Sequence, residues 1–222
     1  MRSFVKRLTK EQRVRVIALI LGLLLVGVAL AGCRPGPSAD RDIYERIHNA
    51  LLSMRGYQAD ATVTYISNKS QHTYQVRQFA RMSGEYRIEV TGPERVAGNI
   101  TVNDNRTITQ FNTNIRGAYA VNTHESPERL ELFVTSFVRN YLRSQEVTIS
   151  VAAAESGLAT VLEAMIPGEH PYMRTSKLWV CNNTLLPLRL VIYDADGVER
   201  VIVVYENFEF NVDLDDNLFR VQ

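Results

Sequence analysis

Three patterns of apolar and polar residues follow one another along the chain. Val16 to Ala31 is an unbroken apolar run, VIALILGLLLVGVALA. From Asp40 to Met54 the period is helical: Ile43, Ile47, Leu51 and Met54 recur at spacings of four, four and three, which puts them on one stripe. Ser38 or Asp40 is placed to cap this helix and Gly56 to end it. From Gln58 the period drops to two. Gln58–Ser67 sets Ala59, Ala61, Val63 and Tyr65 on one face. Tyr74–Met82, Glu85–Val90, Gly98–Val102, Thr107–Asn112 and Gly117–Val121 are further short runs rich in strand formers. Turn residues at Ser83-Gly84, Asn103-Asp104-Asn105 and Asn112-Thr113-Asn114 separate them.

Ser126 to Arg143 interrupts the strands. Ser126 suits an N-cap, Pro127 the first helical position, and Glu128 the positive end of a helix. Leu130, Phe133, Val134, Phe137, Tyr141 and Leu142 give this helix a broad apolar face that must cover something, most simply one side of the sheet. Strands resume at Val147–Ala152, Leu158–Ile166, Met173–Val180, Leu188–Tyr193 and Val198–Phe210, with Asp194-Ala195-Asp196-Gly197 as a hairpin turn. Val201–Tyr205 is apolar on both faces, which predicts a sandwiched strand. The tail from Asn211 reads as an irregular return with a short strand at Leu218–Val221. The fold class is therefore mainly β, in the α+β sense. About ten or eleven strands form one antiparallel sheet that curls into an incompletely closed barrel, with two helices plugging its concave face.

The N-terminus changes this picture. Residues 1–32 carry six basic residues (Arg2, Lys6, Arg7, Lys10, Arg13 and Arg15) and one acidic residue, Glu11. The rest of the chain keeps 19 of the 25 basic and 23 of the 24 acidic residues, a mildly acidic body that disfavours nucleic-acid binding. A basic start, an apolar run and a small-residue exit describe an export signal, and the run is short for a membrane span of about 20 residues. Leu30-Ala31-Gly32-Cys33 resembles the lipobox of bacterial lipoproteins. That resemblance implies cleavage before Cys33 and a diacylglyceryl thioether on it, which anchors the protein on the outer face of the membrane. Stable anchoring takes two acyl chains. The expected organisation is a signal peptide at 1–32, a lipidated Cys and tether at 33–39, and one domain at 40–222.

With Cys33 modified, Cys181 is the remaining thiol. It sits in the apolar run Leu178-Trp179-Val180-Cys181 and reads as a small buried hydrophobe, with an intermolecular disulfide left open. His48, His72, His124 and His170 are far apart, and no metal, phosphate or nucleophile motif appears. Asp213, Asp215 and Asp216 lack the Gly and terminal Glu of an EF-hand and read as a solvated turn. Lys is scarce after residue 32, at Lys69 and Lys177 alone. No catalytic residue, metal or cofactor is expected, and an enzyme is disfavoured.

Four stretches resemble the LolA/LolB/RseB superfamily of bacterial lipoprotein carriers and sensors. They are Tyr57–Tyr65, Glu85–Pro93, Ile100–Thr107, and Leu186–Asp194 with the following Tyr205–Asn211 and Leu218-Phe219. The Asp-Ala-Asp-Gly hairpin and the Asn-Phe-Glu-Phe-Asn run look closest to the GerS-like germination lipoproteins of spore-forming bacteria. The resemblance implies a curved sheet with helices lidding an apolar cavity, here lined by strand residues and by Phe133, Phe137 and Tyr141. The alternative is that these bulky side chains simply fill the core. It further implies a non-enzymatic envelope lipoprotein that binds an acyl chain or a protein such as a cortex amidase. An outer-membrane lipoprotein acceptor and an RseB-like stress sensor are the other readings the resemblance leaves open.

Overall fold

The computed structural model describes residues 37–115, 117–122, 131–155 and 157–220. Contacts divide the chain between Asp42 and Ile43, and the packing described here belongs to the larger unit, Ile43–Gln222. The apolar run 16–31, Cys33, and the expected helix cap at Ser126 with Pro127, Glu128 and Leu130 lie outside the described residues, as does His124. Among the described residues, no helix is long and apolar enough to cross a membrane.

Helix α1 runs from Pro37 to Leu52. It starts before Ser38 and Asp40, so neither is its cap, and residues 37–39 of the expected tether are already helical. Its stripe of Ile47 and Leu51, followed by Met54, is buried as the spacing requires. Eleven strands follow. On one side of the chain's midpoint lie β1 (Gly56–Ile66), β2 (Gln71–Arg81), β3 (Tyr86–Gly92), β4 (Ile100–Asn103), β5 (Thr107–Asn112) and β6 (Gly117–Asn122). After helix α2 (Val134–Arg143) come β7 (Thr148–Ala154), β8 (Gly157–Met165), β9 (Thr175–Cys181), β10 (Pro187–Tyr193) and β11 (Glu199–Phe210).

All eleven strands form one sheet in the order β6-β5-β4-β3-β2-β1-β11-β10-β9-β8-β7. Every pairing is antiparallel, and the first and last strands meet in the middle, with Val63 opposite Val203. The sheet is open and curved, a half-barrel with helices, as the strand count requires. The β6–β7 connection must travel from one edge of the sheet to the other. Within its described part, α2 packs on β8 and β9.

The core lies between the sheet's concave side and the helices. It takes Ala59, Ala61 and Val63 from β1, Val76 and Ala80 from β2, Leu178 and Val180 from β9, and Phe137 and Val138 from α2. A bulge in β11 opposite Gln58/Asp60 breaks the alternation there. Asn207 supplies it with a left-handed φ of 49°, a conformation Asn tolerates better than most residues. Its side chain bonds the Asp60 carboxylate at 3.0 Å. The extra residue turns both Tyr205 and Phe208 inward, where Phe208 stacks on Tyr57 at 4.6 Å.

Three expectations are corrected. Val201–Tyr205 is not sandwiched: Val201, Val203 and Tyr205 are buried, but Val204 is 42% exposed. Hydrogen bonding to β1 and β10 satisfies the strand's edges, and its outer face stays open. The described part of the expected strand, residues 218–220, is not a strand, and Val221 lies outside the described residues. Asp216–Phe219 is a 3-10 turn whose N-cap Asp215 accepts from Asn217 N at 2.8 Å. Helix α2 begins at Val134, and Phe133 precedes it with an extended backbone. The tail crosses the convex face, where Leu214 and Phe219 pack on Val102. Arg81 secures it through Asp216 at 2.7 Å, the Leu214 carbonyl and the face of Phe219.

Candidate functional site

Beyond the part of the concavity that α2 fills, a cavity of about 960 Å³ remains. That is the upper part of the usual range for small-molecule sites. Strand alternation builds it. Val63 and Tyr65 of β1, His72, Tyr74 and Val76 of β2, and Tyr86, Ile88 and Val90 of β3 all project to the same side. The register sets them in rows: Tyr65 lies opposite His72, Val63 opposite Tyr74, and Val76 opposite Val90. Thr101, Gln110, Ile192 and Val201 continue the wall, and Met173 and Tyr172 of the β8–β9 connection lean over it.

Leu132 and Phe133 close the inner end. Phe133 packs against Tyr86, ring centroids 4.5 Å apart. A buried polar cluster fixes this segment. Tyr57 donates to Gln78 Oε1 at 2.7 Å, and its oxygen accepts from Val134 N at 3.4 Å. Tyr205 and Gln78 Nε2 both donate to the Leu132 carbonyl, at 3.4 and 3.5 Å. Burial pushes the Tyr57 and Tyr205 phenols far above their ordinary value, so both stay neutral donors. Tyr57 and Gln78 are fully buried, and such groups belong inside only when they are hydrogen-bonded.

The mouth is polar. The β1–β2 turn Ser67-Asn68-Lys69-Ser70 forms one lip, and His170 with Tyr172 another. Arg200 braces it: the guanidinium binds Asp194 Oδ2 at 2.6 Å and Asn68 Oδ1 at 2.7 Å, and lies over the Tyr172 ring at 5.4 Å. The Asp194 carboxyl is held below the usual carboxylate range, first by Val198 N and then by Arg200 and Asp196 N. The wall is largely apolar and the mouth polar. Apolar surface buried against such a wall is worth about 25 cal/mol per Å².

Of the three side chains expected to line the cavity, Phe133 does so. Phe137 and Tyr141 do not: both are in the core, ring on ring at 6.1 Å. Tyr141 is drawn away by α1, its hydroxyl 3.0 Å from the Tyr44 hydroxyl and 2.8 Å from His48 Nδ1. The segment thus serves two purposes, a filled core at Phe137 within α2 and a cavity wall at Phe133, just before the helix begins. Tyr86, Ile88 and Val90 were legible in the alternation of Glu85–Val90, whereas Tyr172, Met173 and Arg200 come together only through tertiary contacts. Cys181 is buried, 1% exposed, which keeps its own sulfur away from an intermolecular disulfide. Asp215 and Asp216 serve the tail turn and Arg81. No cluster of three or more metal-ligating side chains exists among the described residues.

Fold and cavity together define an open half-barrel protein with an internal receptacle. The chain belongs to the sporulation protein YdcC-like family, whose model matches residues 12–219. Among solved structures it is similar to a conserved protein of Thermus thermophilus, with TM-score 0.51 and 14% identity over 83% of this chain and 94% of that one. It is also similar to a chain in the Clostridioides difficile complex of the CwlD amidase with the GerS lipoprotein (TM-score 0.46, 27% identity, 77% and 95% covered). A third neighbour is a LolA superfamily protein from Nitrosomonas europaea (TM-score 0.44, 12% identity, 82% and 97% covered). No curated protein matches the sequence.

Proposed function

We propose that this protein is a non-enzymatic binding module of the cell envelope. It is held at the outer face of the membrane by a diacylglyceryl group on Cys33, and it takes an acyl chain into the concave cavity. The observation that carries the reading is the cavity itself: about 960 Å³, walled by Val63, Val76, Ile88, Val90 and Phe133. Membership in a sporulation family supports a role in spore formation or germination over delivery to an outer membrane or envelope stress sensing. Native mass spectrometry of the full chain tests the cavity reading. Co-purified lipid, or uptake of one added acyl lipid per chain, is expected; a chain that neither carries nor takes up lipid refutes it. Labelling with a radioactive fatty acid tests the anchor. Label on the wild type and none on Cys33→Ala is expected, and an unlabelled wild type rules the anchor out.

A second reading, recognition of a protein partner, has its own observation. The edge strand β7 carries no charged residue, and Ile149 and Val151 on it are 42% and 52% exposed. Such an edge is open to pairing with another chain unless charge or Pro protects it. The GerS lipoprotein was solved in complex with an amidase, and a cortex amidase is the partner proposed here too. Purified amidase should bind the wild type and lose affinity for Val151→Lys. Equal binding to both counts against the edge, and no binding to either against the amidase.

A further inference from the structure

The charge of the cavity mouth narrows the ligand class, and this inference rests on the acyl-chain reading above. Every ionisable acid–base side chain of Lys, Arg, His, Asp or Glu type that lines the cavity is basic: Lys69, His72, His170 and Arg200. No Asp or Glu lines it among the described residues. This one-sidedness stands out in a body whose residues after 32 carry more acid than base. The four lie toward one end. Lys69 is at the tip of the β1–β2 turn, and His72 follows at the start of β2. The opposite end is Leu132 and Phe133 against Tyr86. The cavity is thus polarised, hydrocarbon within and positive charge at the rim.

Arg200 and Lys69, the two permanent charges, do not have equal freedom. Arg200 is bound to Asp194 at 2.6 Å on one edge and to Asn68 at 2.7 Å on another. Its charge is largely compensated, and its role is to hold the Asn68–Lys69 turn against the β10–β11 hairpin. The Lys69 ammonium has no carboxylate partner among the described residues, and it rides on a turn tied down by Ser67 Oγ, which accepts from Lys69 N and Ser70 N at 3.3 and 3.0 Å. A long flexible ammonium on a fixed turn reaches a head group at the mouth without reorganising the wall. We propose that the cavity selects an acyl chain ending in an anionic group, carboxylate or phosphate, with the chain against Phe133 and Ile88 and the head beside Lys69. Neutral and cationic amphiphiles of the same chain length fill the same space and lose the charge-assisted contact.

The test uses the full chain in a non-ionic amphipol and measures the affinity of four amphiphiles with sixteen-carbon chains. Palmitate and palmitoyl lysophosphatidylglycerol are the two anionic arms, monopalmitoylglycerol the neutral one and hexadecyltrimethylammonium the cationic one. At low salt at least one anionic arm should bind about ten-fold tighter than the neutral one. The stronger anionic arm identifies the head as carboxylate or phosphate. Added salt should narrow the ratio, because the mouth is exposed to solvent. Lys69→Gln should bring it to about two-fold, whereas Lys177→Gln, on β9 and paired with Glu163, should leave it in place. Equal binding of anionic and neutral arms, or tighter binding of the cation, overturns the head-group selection and leaves the acyl-chain reading standing. If no arm binds, the acyl-chain reading itself falls.

Discussion

Tyr57→Phe removes one oxygen from the buried cluster behind the cavity and leaves the ring, its stacking on Phe208 at 4.6 Å and its volume intact. The hydroxyl makes one short bond, to Gln78 Oε1 at 2.7 Å, and receives a long one from Val134 N at 3.4 Å. The long bond contributes little. The main loss is at Gln78, which is fully buried, so its carbonyl is stranded away from water. A buried polar group left without a partner costs about 1–3 kcal/mol, and we take about 2 kcal/mol here. For a chain of this size each kcal/mol moves Tm by roughly 2–4 °C, so the variant should melt about 4–8 °C below the wild type. Gln78→Leu in the same chain removes the stranded group, and the double variant should recover about 1 kcal/mol or more relative to the sum of the single ones. Urea unfolding followed by circular dichroism measures all four proteins of the cycle. Thr64→Val, which breaks the exposed Thr64–Thr73 hydroxyl pair, is the control and should stay within about 0.5 kcal/mol. Because the cluster anchors Leu132 and Val134 on either side of Phe133, acyl-chain affinity should fall together with stability. Additivity of the two single changes, or a loss for Tyr57→Phe no larger than that of Thr64→Val, would refute the reasoning.

Gly56→Ala should destabilise by about 1–3 kcal/mol, as overpacking generally does. The added Cβ would stand 2.7 Å from the Ala80 carbonyl oxygen in the paired strand β2; a urea midpoint equal to that of the wild type would contradict it. The Asp194 carboxylate is bonded by Val198 N, Asp196 N and Arg200, and its folded-state pKa is held below the unfolded value of about 3.9. The unfolded chain therefore binds the proton more readily between those two values. The carboxylate's contribution is fully present above the unfolded value and disappears as pH falls through the folded one. Asp194→Asn should accordingly be less stable than the wild type at pH 7, with a gap that closes on acidification below about pH 4. A gap that widens toward acid pH would reverse the sign.

Local pattern carried much of this protein. Alternation in Gln58–Ser67 and Glu85–Val90, the turn residues at Ser83-Gly84 and Asp194–Gly197, and the stripe Ile47–Leu51 are decided by neighbours a few residues apart. They specified the half-barrel, its strand count and the helix against its hollow side. The lipobox-like stretch ending at Cys33 is likewise a short-range signal, and it lies outside the described residues. Tertiary structure decided how the hollow is divided. Phe133, Phe137 and Tyr141 share a single apolar face in the sequence. Tyr141 is pulled aside by Tyr44 and His48 of α1, Phe137 fills the core, and Phe133 is held at the cavity by a cluster centred on Tyr57 and Gln78. The bulge at Asn207 and the meeting of Arg200 with Asp194 and Asn68 are of the same kind. A period records which side of an element is apolar; whether that side meets another side chain or a space depends on residues as far apart as 57 and 134, which only the packed chain brings together.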